Sequence, residues 1–197
     1  MLFRSGEDAT PVKPYDPQAR DVDRIVKSYG NGLTAPHSIT CAADAKALIW
    51  LLAESVAQRM REDGVRARTI SIGVRNDTDL SGYGCQVKLP RPTAATRHVA
   101  QAAWGMLAAR ERFDEDHPIR ALHVRASDLE EPGPAEQLDL FAPVEPDWER
   151  LDRCIDDLRR RFGNTVVVRG VELLDETLAG VDIKGENTVH PVGYFHR

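Results

Sequence analysis

Carboxylates close together in a chain are the first candidates for metal-dependent chemistry, and three groups occur here: Asp77 with Asp79, Asp114 to Asp116, and Asp156-Asp157. Phosphoryl transfer by two metal ions needs several carboxylates on neighbouring strands, so that both ions sit on the reacting phosphates. The first pair falls in a turn-rich stretch and the second follows a helical pattern. The third lies on a helix without partner carboxylates, so all three read as solvated surface charge. The histidines, His37, His98, His117, His123, His190 and His196, are scattered, and none has a Ser or Cys beside it in a base–nucleophile arrangement. Cys41, Cys85 and Cys154 are far apart and outside any metal-ligand spacing. No glycine-rich phosphate loop is present. The chain is therefore not expected to be an enzyme by itself, nor to hold a metal or cofactor.

Charge points to a different activity. The net charge of −5 is unevenly spread. Arg24 to Leu129 carries 15 Lys and Arg against 11 Asp and Glu, whereas Glu130 to Arg197 carries 8 against 15. A mildly basic domain is followed by an acidic extension. The composition, 42% hydrophobic and 29% charged, is that of a soluble globular chain. No apolar run approaches the roughly 20 residues that span a bilayer, and the N-terminus lacks a signal-peptide pattern. A cytoplasmic location is expected.

The elements that must position the basic residues follow from periodicity. Ala45, Leu48, Ile49, Leu52, Val56, Ala57 and Met60 recur at helical spacing over Ala42 to Asp63, with Ser38 or Thr40 as cap and Gly64 as stop. A second helix is predicted from Thr93 to Arg112. Arg68 to Arg75 alternates Ile70, Ile72 and Val74 against Thr69, Ser71, Gly73 and Arg75, the period of a half-buried strand. Cys85 to Leu89 alternates likewise and completes a hairpin through the turn-rich 76–84. Ile119 to Ala126 sets Leu122 and Val124 against Ala121, His123 and Arg125, and a first strand is read over Ile25 to Thr34. The expected fold is α+β, with a mainly antiparallel four-stranded sheet in β-α-β-β-α-β order and both helices on one face. The other face is polar and partly basic.

Residues 1–24 read as a lead-in, 25–129 as the domain, 130–146 as a linker and 147–197 as a C-terminal extension. The linker contains Gln137-Leu138-Asp139-Leu140-Phe141, in which an amide and two adjacent apolar side chains suit an extended peptide entering a partner's pocket and cleft. In the extension, Trp148, Leu151, Ile155, Leu158 and Phe162 align on one side of a helix, with Gly163 as stop. Val166 to Val171 reads as a short strand.

Three segments resemble the little finger domain of Y-family translesion DNA polymerases of the UmuC and DinB kind: Lys27-Ser28-Tyr29-Gly30-Asn31, Arg66-Ala67-Arg68-Thr69, and the strand Ile119 to Ser127. His123 stands where that family has Gly. Residues 137–141 resemble the bacterial sliding-clamp-binding peptide. Arg150 to Gly163, followed by Val166 to Gly170, resembles the helix and strand that end many bacterial members. Gly6 to Val12 looks like the junction between the family's thumb and the tether to its little finger.

The resemblance implies a fragment without the catalytic palm, to which any magnesium would belong. It implies that the outward sheet face grips the backbone of primer-template DNA without reading sequence, in damage tolerance and the SOS response. The implied DNA contacts are Lys27, Ser28, Tyr29, Gly30, Arg68, Thr69, Ser71, Arg75, Lys88, His123 and Arg125. The implied clamp contacts are Gln137, Leu138, Asp139, Leu140 and Phe141. An alternative is a stand-alone clamp-binding interaction module that does not bind DNA.

Overall fold

A computed structural model of the chain describes residues 26–131, 146–174 and 177. The lead-in, the clamp-binding peptide 137–141 and the tail from residue 178 lie outside the described residues. The element order is β1 (Ser28–Ile39), α1 (Ala42–Glu62), β2 (Arg66–Asn76), β3 (Gly82–Thr93), α2 (Thr96–Ala108), β4 (Ile119–Glu130) and α3 (Trp148–Phe162), then a one-turn 3-10 helix, Glu172–Leu174. The sheet order is β1-β4-β2-β3, and every neighbouring pair is antiparallel. The α+β class and the expected strand and helix order are borne out.

Alternation within the strands decides the two faces. Tyr29, Ile70, Ile72, Val74, Leu122, Val124 and Ala126 turn toward α1 and α2 and form one buried cluster with Leu48, Leu52, Val56, Met60, Val99 and Leu107. Each large aliphatic side chain removed from water in this way contributes roughly 1.5–3 kcal/mol. α1 is buried along most of its length, and even Glu54, Ser55, Gln58 and Arg59 are enclosed. It therefore has neighbours on more than its sheet-facing side.

The ends of the elements differ from expectation in informative ways. The cap of α1 is neither Ser38 nor Thr40 but Cys41, whose sulfur accepts from the Asp44 amide at 3.4 Å. At the other end Val65 N–H reaches Met60 carbonyl and Gly64 N–H reaches Arg61 carbonyl, a Schellman closure. Gly64 takes the left-handed conformation it requires, with φ of 67°. β3 runs on through Pro90 and Pro92 to Thr93, so α2 starts three residues later than predicted. Prolines are tolerated there because β3 is an edge strand and needs fewer ladder donors.

Val166 to Val171 forms bends and turns, not the expected strand. The Val167 carbonyl is taken by the Arg159 guanidinium instead of a strand partner.

Candidate nucleic-acid interface

The outward sheet face can be read directly from the strand register. Four cross-strand rows lie on it: Ser28–Ser127–Thr69–Lys88, Gly30–Arg125–Ser71–Gln86, Gly32–His123–Gly73–Gly84, and Thr34–Ala121–Arg75–Gly82. These positions hold three permanent cations, one imidazole, small hydroxyls and glycines, and no carboxylate. Lys88, Arg125 and Arg75 are exposed and stand on three different strands. A surface of this composition attracts an anion broadly and lets its backbone come close to main-chain amides.

Most of the residues expected to bind DNA are thus gathered on one face: Ser28, Gly30, Ser71, Arg75, Lys88, His123 and Arg125. Lys27 is exposed immediately before β1. Three of the expected residues have side chains engaged within the fold. The Tyr29 side chain points to the helix side, where it is buried and its hydroxyl donates to Asp63; burial first, then that carboxylate, pushes its pKa up. The Thr69 hydroxyl is buried and donates to Asp128 at 2.5 Å, so it is committed within the fold. Arg68 pairs with Glu130 at 2.9 Å and, as the neighbour of Thr69, is out of phase with the four rows. Gln86, Ser127 and the glycine row were missed, although extending the same two-residue period along β3 and β4 would have placed them.

A second constellation lies on the opposite side of α1. Arg61 chelates Asp156 through Nε at 2.7 Å and Nη2 at 3.0 Å, and its Nη1 reaches Asp152 at 3.3 Å. Arg169 joins Asp152 at 2.5 Å to Glu54 at 2.8 Å, and Arg159 reaches Glu54 at 3.0 Å. All of these side chains are buried or nearly so, and Glu172 is buried beside them. Burial, and then the neighbouring Glu54 carboxylate, push the Glu172 pKa up to about 8.

The network also supplies caps. α2 has no side-chain cap of its own. Asp152 accepts from Thr96 N–H at 2.7 Å, and Glu149 accepts from Ala94 N–H at 3.1 Å. Two carboxylates of α3 thereby satisfy amides at the positive end of α2. Asp156 is consequently not the solvated surface charge expected. Of the apolar side chains that align along α3, Leu151, Leu158 and Phe162 are exposed.

The remaining acidic groups are surface features. Asp77 accepts from Ser38, and Asp114 accepts from the His117 amide at 2.9 Å. Among the described residues no group of three or more His, Cys, Asp or Glu could hold a metal ion, and no helix is long and apolar enough to cross a membrane.

Comparison with known proteins shows the family of the chain. Residues 26–140 match the impB/mucB/samB family C-terminal domain, and the chain belongs to that family. Its curated relatives are DNA polymerases. The chain is 35% identical over 178 residues to DNA polymerase IV of Acetivibrio thermocellus, covering 89% of this chain and 43% of that protein. DNA polymerase IV 2 of Halalkalibacterium halodurans is 32% identical over 180 residues, with 90% and 41% covered. The chain thus spans about two fifths of the length of these relatives. Among solved structures, a complex of the beta-clamp processivity factor with the little finger domain of PolIV matches at 16% identity and a TM-score of 0.43, covering 58% of this chain and 99% of that one. The resemblance to Y-family polymerases read from Lys27 to Asn31, Arg66 to Thr69 and Ile119 to Ser127 is borne out.

Proposed function

We propose that this chain is the DNA-gripping and clamp-recruiting part of a bacterial translesion DNA polymerase, acting in damage tolerance in the cytoplasm. The observation that carries the reading is the carboxylate-free outward sheet face, with Lys88, Arg125, Arg75 and His123 on three adjacent strands of a domain whose family is that of DNA polymerase IV. Side chains on such a face meet phosphates rather than base edges, so the grip is independent of sequence, as suits an enzyme that accepts damaged templates. Residues 25–129 act as the gripping domain. The linker 130–146 carries Gln137-Leu138-Asp139-Leu140-Phe141 to the sliding clamp, and polymerase chemistry with its magnesium ions belongs to the palm of the whole enzyme.

The test is equilibrium binding of the chain to a labelled primer-template duplex over a salt series. Affinity should fall with a slope of about 0.9 in log units per phosphate neutralised, and should be the same for unrelated sequences. Calorimetry with a bacterial sliding clamp, using a Leu140→Ala, Phe141→Ala double variant as control, tests recruitment. Clamp binding without DNA binding at any salt would leave the interaction-module reading in its place.

A further inference from the structure

Across the centre of the outward face the register aligns Gly32, His123, Gly73 and Gly84, three glycines and one imidazole on four strands. They floor a trough of about 430 Å³. The ring lies toward β1: a Cβ on Gly32 would sit 2.9 Å from its Cδ2, and one on Gly30 would sit 3.1 Å from its Cε1. Packing therefore favours glycine at 30 and 32, where an added Cβ would press on the His123 ring. It sets no such preference on the far side, where a Cβ on Gly73 or Gly84 would meet nothing nearer than 3.5 Å. Bare strand backbone that packing does not require is a place for another backbone to approach.

The charges around the trough have one sign. Along β4 the neighbours of His123 on this face are Ala121 and Arg125, and β2 presents Ser71 and Arg75. β1 offers Gly30, Gly32 and Thr34, and β3 offers Gly82, Gly84 and Gln86, none of which titrates. α1 and α2 pack on the opposite face. The imidazole thus has the Arg125 cation beside it on its own strand, with Arg75 lining the trough and no carboxylate on this face.

We propose that Gly73 and Gly84 floor a seat for one phosphodiester of the bound nucleic acid, flanked by Arg125 and Arg75, and that His123 takes up a proton as the phosphate arrives. The inference rests on the DNA-gripping reading of this face and assigns its centre a proton-linked contact. In the free chain burial, and after it the Arg125 cation, hold the His123 pKa below its ordinary value, so the ring is neutral at neutral pH. A phosphate brings the opposite charge and raises that pKa, and the proton comes from solvent. Affinity therefore rises as pH falls through the pKa of the complex, and levels off below the lower pKa of the free ring.

The experiment is fluorescence anisotropy of the full chain with a labelled primer-template duplex at fixed ionic strength, between about pH 8 and about pH 5.5, a range spanning the imidazole transition. The wild type should gain roughly tenfold in affinity across the range, the factor that one unit of pKa rise supplies. His123→Asn should stay near the wild-type value at high pH throughout. NMR of the His123 ring should show its pKa rising when the duplex is added, a response that a purely structural histidine lacks. Gly73→Val, whose Cβ would sit no nearer than 3.5 Å to its neighbours and whose branched side chain suits a strand, should weaken binding at every pH while leaving thermal stability unchanged. The same pH slope in His123→Asn, or undiminished binding by Gly73→Val, overturns the seat with the DNA grip intact. No binding by the wild type at any pH overturns the DNA reading itself and the seat with it.

Discussion

α1 has two interfaces built on opposite rules. Toward the sheet it presents Leu48, Leu52, Val56 and Met60 to Ile70, Ile72, Leu122 and Val124, apolar against apolar. Toward α3 it presents Glu54 and Arg61, and α3 answers with Asp152, Asp156 and Arg159. The first interface needs only shape and the hydrophobic effect. The second has to offset the cost of desolvating each ion, and does so by setting Glu54 and Asp152 each between two guanidinium groups and both oxygens of Asp156 on Arg61. The difference teaches that the moment of a helix locates its apolar side but does not say which side is buried.

The largest effect expected of a single change is at Arg61. Arg61→Met leaves Asp152 and Asp156 buried without their shared cation, and should cost about 3–5 kcal/mol. Urea unfolding measures the loss, and hydrogen exchange should show α3 opening before the sheet. If the loss stays within the few tenths typical of surface pairs, the charged interface does not hold α3. A double-mutant cycle between Arg61 and Asp156 should then return a coupling of about 0.5–3 kcal/mol.

Charges on the sheet face should behave oppositely. The triple change Arg75→Ala, Lys88→Ala, Arg125→Ala removes exposed cations that no buried group depends on, so each should alter stability by no more than about 0.5 kcal/mol. Its effect should appear in DNA binding, where the salt slope drops by about 0.9 for each lost phosphate contact. A triple variant that unfolds, or that binds DNA with the wild-type slope, breaks the contrast between inward charge as structure and outward charge as grip.

A smaller, pH-linked effect is expected at Glu172. Its folded-state pKa is raised to about 8 by burial and then by Glu54, above the unfolded value. The folded chain therefore binds the extra proton between those values, and the stability it contributes is present at low pH and lost as pH rises through the folded pKa. Glu172→Gln, which keeps the neutral form at every pH, should flatten that decline. Denaturation midpoints measured on both sides of neutrality decide it; an unchanged pH profile would show that Glu172 carries its charge in the fold.

These contrasts also mark what could be read from the chain and what could not. Strand phase was legible because Ile70, Ile72 and Val74 alternate strictly with polar neighbours, and one buried face fixes the register. The outward cluster of Arg75, Lys88, His123 and Arg125 followed from that phase. Strand ends were not legible: the alternation of β3 stops at Leu89, yet the edge strand runs on through Pro90 and Pro92. Thr69 had the right phase, but Asp128, held by a positive φ of 53°, turns back to take its hydroxyl. The orientation of α3 was hidden for a deeper reason. Its buried side is acidic and arginine-bearing, and the complementary residues Glu54 and Arg61 lie about a hundred positions earlier, where nothing local announces them.

The smallest effect is the most discriminating. Phe162 is 68% exposed, with Leu158 on the same side of α3 also in solvent. Had the aligned apolar side chains been the docking surface, truncating them would remove core contacts and cost about 2–5 kcal/mol, as large-to-small changes in cores do. Because Asp152, Asp156 and Arg159 are the docked residues, Leu158→Ser and Phe162→Ser should each shift stability by no more than about 0.5 kcal/mol. The serine variants should keep the Arg61–Asp156 coupling at its wild-type value, since neither residue touches that pair. A loss comparable to that of Arg61→Met in either variant would show that the helix is docked through its apolar side after all. Near-neutral variants together with a costly Arg61→Met would show that α3 is held through its charged side and not through Leu158 or Phe162.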